Sequence, residues 1–154
     1  MALTERGPEP TGQKVVVMGQ GYVGLPLAIR AVEVGYDVVG FEVDDARAKE
    51  LSSGSSYVED IPEERLRAAL DTGRYTATTD PGRLRDFDIA IITVPTPLVE
   101  RLPDLTFVEA AVSMLAPALR AGATVVLEST TYPGTTEELV GARLAEATGL
   151  RPGA

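Results

Sequence analysis

Short apolar runs rich in β-branched residues recur along the chain, separated by longer stretches in which apolar positions return every three or four residues. That alternation is the pattern of a parallel sheet covered on both faces by helices. Five strands are expected: Lys14 to Met18, Asp37 to Glu42, Tyr75 to Thr78, Ile89 to Val94 and Thr124 to Leu127. The first and fourth are nearly all apolar, as central parallel strands are when both faces are buried. Between Phe107 and Leu119 the residues Val108, Ala111, Val112, Leu115 and Leu119 share one helical face, which reads as core and not as a site. Thr106 with Glu109, and Thr135 with Glu138, have the spacing of capping boxes. Asp60 and Glu63 open a further helix reaching Leu70, and Gly35, Gly122 and Gly149 stand where helix C′ positions would fall.

The expected fold class is α/β: one doubly wound parallel sheet of about five strands over residues 13–150, with helices on both faces. Residues 1–12, MALTERGPEPTG, are expected as a loose, disordered tail, and 151–154 as the start of a linker to further domains. A sheet of this kind normally has a sixth strand. The chain ends before one, so the fifth strand is expected to be an open edge that pairs with another chain or lowers solubility.

The first strand runs directly into Gly19-Gln20-Gly21-Tyr22-Val23-Gly24, a G-x-G-x-x-G segment, and a helical pattern continues to Val34. In that context the glycines have separate tasks. Gly19 permits a tight turn, Gly21 lets the backbone approach a pyrophosphate with no Cβ in the way, and Gly24 allows the helix to pack on its strand. Backbone N–H groups at the helix start then face the phosphates, where the helix dipole favours negative charge. A glycine triplet alone is also compatible with an ordinary turn; the strand, the helix and an acid at the end of the second strand argue for the dinucleotide reading. That acid is Glu42, placed to accept hydrogen bonds from adenosine ribose hydroxyls and to repel a 2′-phosphate. NAD is therefore expected over NADP, with Arg47 softening the preference. Asp44 and Asp45 read as acids capping the next helix.

Composition narrows the rest. Asp and Glu outnumber Lys and Arg by 23 to 14, giving a formal charge of −9 that disfavours nucleic acid and anionic membrane as partners. Apolar runs stay far below the ~20 residues of a membrane-spanning helix, and the opening residues carry no apolar signal-peptide core, so a cytoplasmic location is expected. With no Cys and no His, the chain holds no disulfide, thiolate nucleophile, imidazole base or Cys/His zinc site, and no metal is expected.

The strings GQGYVGLPLA, GFEVD, SYVEDI, TATTD, VPTP, PDLTFVEAA and ESTTYPGTTEE together resemble the N-terminal NAD-binding Rossmann domain of the UDP-glucose/GDP-mannose dehydrogenase family. The resemblance runs from Lys14 to Leu150, and SYVEDI with ESTTYPGTT is most similar to the branch acting on UDP-N-acetylhexosamines. It implies an enzyme, a homodimer when full length, that oxidises the C6 hydroxyl of a nucleotide-bound hexose to a carboxylate in two steps and reduces two NAD. The nucleophilic Cys of the family, with its assisting Lys, Asn and Asp, falls beyond this chain, so the chain alone is expected to be inactive. Carried over singly, Val23 and its neighbours Gly19, Gln20, Gly21, Tyr22 and Gly24 line the pyrophosphate, Glu42 stands for the usual Asp at the ribose, and Arg47 lies near the same ribose. In Val94-Pro95-Thr96-Pro97 the threonine position contacts NAD. The Thr130 position approaches both nicotinamide and substrate and serves catalysis as an auxiliary hydroxyl. Both threonines follow strands at their carboxyl ends, where open α/β sheets bind ligands; each is also explained by a turn or a local backbone bond. Tyr57, Glu59 and Asp60 read as an exposed loop capping the next helix, with a substrate-side role as the other reading. Gly134 and Thr135 serve a turn and a helix start. A stand-alone, non-catalytic NAD-binding module and a different Rossmann oxidoreductase are the competing functions.

Overall fold

The computed structural model describes residues 8–153. The expected tail therefore lies partly outside the described residues, as does Ala154; within them, Thr11 donates its N–H to the Gly35 carbonyl at 2.9 Å.

β1 (Lys14–Met18) and β2 (Asp37–Phe41) are joined through α1 (Gly24–Glu33). β2 is joined to β3 (Tyr75–Thr78) through α2 (Asp45–Ser52) and α3 (Glu63–Asp71). β4 (Ile89–Ile92) follows, then a two-stranded hairpin, β5 (Leu98–Val99) and β6 (Leu102–Pro103), and α4 (Thr106–Leu115). β7 (Thr124–Leu127) completes the main sheet, and a π-helical turn, Thr136–Gly141, runs into α5 (Ala142–Thr148).

The five strands of the main sheet stand in the order β3-β2-β1-β4-β7, all pairs parallel. The order reverses between β1 and β4, so the connections after β1 and after β4 leave the sheet on opposite faces and a crevice opens between them. One face packs Val15, Val17, Leu25 and Ile29 with Leu51 and Leu66 from α2 and α3. The other packs Val16, Met18 and Ile92 with Val108, Val112 and Leu115 of α4 and Leu144 of α5. Alternate residues of β1 thus serve two cores, which is why that strand is apolar throughout.

Several ends differ from the sequence expectation. β2 stops at Phe41 and not Glu42, and β4 at Ile92 and not Val94. The Glu42 N–H still bonds the Thr78 carbonyl at 3.0 Å, but the chain then bends to place Asp44 as a cap, accepting from Ala46 N at 2.9 Å and Arg47 N at 3.2 Å. Neither expected capping box forms. Asp104 bonds both the N–H and the hydroxyl of Thr106, which takes that hydroxyl away from capping, and the Thr135 hydroxyl donates to the Tyr132 carbonyl at 2.7 Å. The helix expected from Asp60 starts at Glu63 behind Pro62. Pro117 lacks a donor N–H, so the helix expected to reach Leu119 ends at Leu115 and tightens into a 3₁₀ turn, Ala116–Ala118. Gly122 consequently lies in the turn before β7, while Gly35 and Gly149 do end α1 and α5. The hairpin was not anticipated: its turn residues, Glu100 and Arg101, have φ of 50° and 71° without the usual Asn or Gly.

Candidate functional site

The connections after β1, β2, β4 and β7 converge at the carboxyl ends of those strands and enclose, with α4, a cleft of about 870 Å³. Its floor is the glycine-rich turn. Gly19 leaves β1 at φ 93°, and a Cβ there would lie 2.9 Å from the Thr93 carbonyl oxygen. Gly24, the first residue of α1, is buried; a Cβ would come within 1.8 Å of the Gly19 carbonyl oxygen and 2.5 Å of the Thr93 hydroxyl. That hydroxyl lies 2.9 Å from the Met18 and 3.0 Å from the Gly19 carbonyl oxygen, tying β4 to the turn. Gly21 is different in kind, because a Cβ there would meet nothing within 4 Å, and the residue borders the cleft. Among the described residues the N–H groups of Tyr22 and Val23 have no protein acceptor. Their side chains turn outward, 73% and 57% exposed. The start of α1 therefore presents open backbone donors, with the helix dipole behind them, over a patch that no side chain fills.

At the end of β2, Glu42 is 6% exposed. One carboxylate oxygen accepts from Gln20 N at 3.2 Å and the other from Asp44 N at 3.2 Å, which fixes the group at the cleft wall with a further lone-pair direction on each oxygen. Gln20 contributes its backbone to the cleft while its side chain is fully buried. Tyr57 stands beside it and donates its hydroxyl to the Gln20 carbonyl at 2.7 Å. Burial, then the Glu42 charge, pushes the Tyr57 phenol well above its ordinary value, so it remains a donor at neutral pH. The Arg47 guanidinium lies 5.2 Å from the centre of the Tyr57 ring, within cation–π range.

Across the cleft the loops after β4 and β7 are stitched together. Thr96 donates its hydroxyl to the Thr130 carbonyl at 2.7 Å, and Ser129 donates its own to the Val94 carbonyl at 2.7 Å. Thr130 keeps an exposed side chain beside Thr96 and Pro95.

Of the residues expected at the cofactor, Gly19, Gln20, Gly21, Tyr22, Val23, Glu42, Arg47, Val94, Pro95, Thr96 and Thr130 all border this one cleft, and Gly24 lies beneath it. Glu59 and Asp60 point to solvent elsewhere, whereas Tyr57 belongs to the cleft. Sequence reasoning missed the opposite wall, formed by Phe107, Ala110 and Met114 of α4. Their spacing of three and then four residues is a second apolar stripe beside the core stripe, and that stripe is the signal that marks them. An apolar wall, a fixed carboxylate and open N–H donors over a side-chain-free patch suit a flat base, a ribose diol and a diphosphate, in that order. The residues present thus fit a dinucleotide.

Residues 13–152 match the model of the NAD binding domain of the UDP-glucose/GDP-mannose dehydrogenase family. The chain is 40% identical over 142 residues to UDP-N-acetyl-D-mannosamine dehydrogenase of Pyrococcus horikoshii, covering 91% of this chain and 34% of that protein. It is 41% identical over 141 residues to UDP-N-acetyl-D-glucosamine 6-dehydrogenase of Salmonella typhi, covering 89% and 32%. The solved UDP-D-ManNAc dehydrogenase structure from Pyrococcus horikoshii superposes with a TM-score of 0.88 at 38% identity, over 92% of this chain and 34% of that one. The chain thus spans about a third of the length of the curated relatives it matches.

Proposed function

The chain belongs to the UDP-glucose/GDP-mannose dehydrogenase family, and from that premise we propose that it is the cofactor-holding part of an enzyme oxidising the C6 hydroxyl of a nucleotide-bound hexose to a carboxylate. Its cofactor is NAD. The observation that carries the residue assignments is the pairing, in one cleft, of the open patch over Gly21 with the fixed carboxylate of Glu42.

Tyr22 and Val23 give backbone N–H bonds to the diphosphate, and Gly19, Gly21 and Gly24 keep the turn close enough for those bonds to form. Glu42 accepts from the adenosine ribose hydroxyls and disfavours a 2′-phosphate, Arg47 lies beside it, and Phe107, Ala110 and Met114 cover the adenine. Val94, Pro95 and Thr96 line the path toward the reacting end. Thr130, exposed in the loop after β7, is an auxiliary catalytic group, positioning the reacting oxygen of the sugar or a water. Bound NAD would supply the hydride acceptor in each of two oxidations, alcohol to aldehyde and then, with a water consumed, aldehyde to carboxylate.

The substrate class is a UDP-N-acetylhexosamine or a similar nucleotide sugar, supported by the names of the relatives at 40% and 41% identity. A thiolate that captures the aldehyde for the second oxidation comes from another segment of the enzyme, because these 154 residues contain no cysteine. The complete enzyme is a homodimer. The intact gene product, assayed with NAD against UDP-N-acetylhexosamines and UDP-glucose, is expected to form two NADH per sugar consumed, while this chain alone forms none. No NADH with any nucleotide sugar would overturn the reading.

A further inference from the structure

A glutamine between the first two glycines of a phosphate-binding turn has no need to be buried, yet Gln20 is 0% exposed and every polar atom it owns is bonded. We propose that Gln20 is a positioning residue: its buried side chain holds the glycine-rich turn, and through that turn the Glu42 carboxylate, in the geometry that receives NAD. This rests on the reading of the cleft as a dinucleotide site.

The side-chain amide donates to the carbonyls of Val17 and Gly19, each at 3.1 Å, and so clamps the turn back onto β1. The amide oxygen accepts from the Tyr75 hydroxyl of β3 at 2.8 Å. Room for it comes from β2, where a Cβ on Gly40 would lie 2.4 Å from that oxygen and 2.9 Å from the Tyr75 hydroxyl. The backbone does the rest: Gln20 N donates to Glu42, and its carbonyl accepts from Tyr57. One residue therefore joins β1, the end of β2, β3 and the segment before α3 to the part of the turn that carries the open N–H groups of Tyr22 and Val23. Gly21 has no side chain with which to hold that part in place. Burial raises the Tyr75 phenol above its ordinary value, so its hydroxyl stays a donor. Donors fixed before the ligand arrives lose less entropy on binding, so the tie contributes to affinity and not only to folding.

Packing and positioning are separable by a cycle of variants read for both thermal stability and NAD affinity. Gln20→Met and Tyr75→Phe each strand one buried polar partner and lower Tm. The double variant replaces the pair by apolar groups of similar shape, and the Gly19 carbonyl keeps the Thr93 hydroxyl at 3.0 Å; its Tm returns to within about 2 °C of the parent, because both unpaired groups are gone. Its Kd for NAD stays raised by roughly 10-fold, the size of one lost ordering interaction. Tyr75→Phe, at a residue outside the cleft lining, also raises Kd about 5-fold, because the side-chain oxygen that braces the turn loses its donor. A double variant that recovers affinity together with stability would overturn the proposal, as would parental affinity in Tyr75→Phe. Should the double variant not refold, Tyr75→Phe decides. A parent chain that does not bind NAD removes the underlying reading and the proposal with it, whereas a binding parent with indifferent variants removes the proposal alone.

Discussion

Gly21 and Gly24 lie in one turn, and their missing side chains do unlike things. At Gly24 an added methyl meets the Gly19 carbonyl oxygen at 1.8 Å, so Gly24→Ala forces the backbone apart and is expected to destabilise the fold by ~3 kcal/mol. At Gly21 the methyl meets no protein atom within 4 Å. Gly21→Ala is therefore expected to keep the parental Tm within about 1 °C, consistent with the small effects of surface substitutions, and to lose NAD binding, measured by melting and titration on the same preparation. Equal loss of Tm in both variants would contradict the division of labour. At this scale the glycines, Glu42 and the two threonines were legible because spacing along the chain puts each at a strand end. The roles of Gln20 and Tyr57 were not, since their partners Tyr75, Gly40 and the Gln20 carbonyl lie 20 to 55 positions away and no local pattern encodes such meetings.

α1 and α3 are braced by Glu33, whose carboxylate receives Arg65 Nε at 2.6 Å and a second guanidinium N–H at 3.0 Å. The Arg65 hydrogen bonds hold the Glu33 carboxyl below its ordinary value, burial opposes them, and Arg30 assists. A carboxyl whose folded value is depressed adds stability above its unfolded value, and loses that stability as pH falls through the folded one. Glu33→Gln is therefore expected to melt below the parent at pH 7, with the gap closing as pH falls below the ordinary carboxylate range; both groups are partly exposed, so the gap is small. A gap that persists well below that range would contradict the brace. Strand existence was readable because β-branched runs such as Val15-Val16-Val17 leave little else. Helix ends were read less well, since Asp104, Pro62 and Pro117 act through competing bonds and a missing donor that a two-residue capping signature does not weigh.

For the molecule as a whole, the order β3-β2-β1-β4-β7 puts the crevice at the β1–β4 reversal and leaves β7 at one edge of the described sheet. Backbone groups on an uncovered edge pair with other chains, so the isolated chain is expected to self-associate with rising concentration; a stable monomer throughout a sedimentation series would count against it. A parallel sheet covered on both faces was implied by the alternation of runs, whereas the α4 wall of the cleft depended on which of two apolar stripes the sheet would cover. The most direct test of the central claim is calorimetric titration of the chain with NAD and, separately, with NADP. Saturable one-to-one binding of NAD is expected, with Kd in the range of about 1 µM to 1 mM, NADP weaker by at least ~10-fold, and loss of NAD binding in Gly21→Ala. No heat and no thermal shift at millimolar NAD, or NADP bound as tightly as NAD, would contradict it.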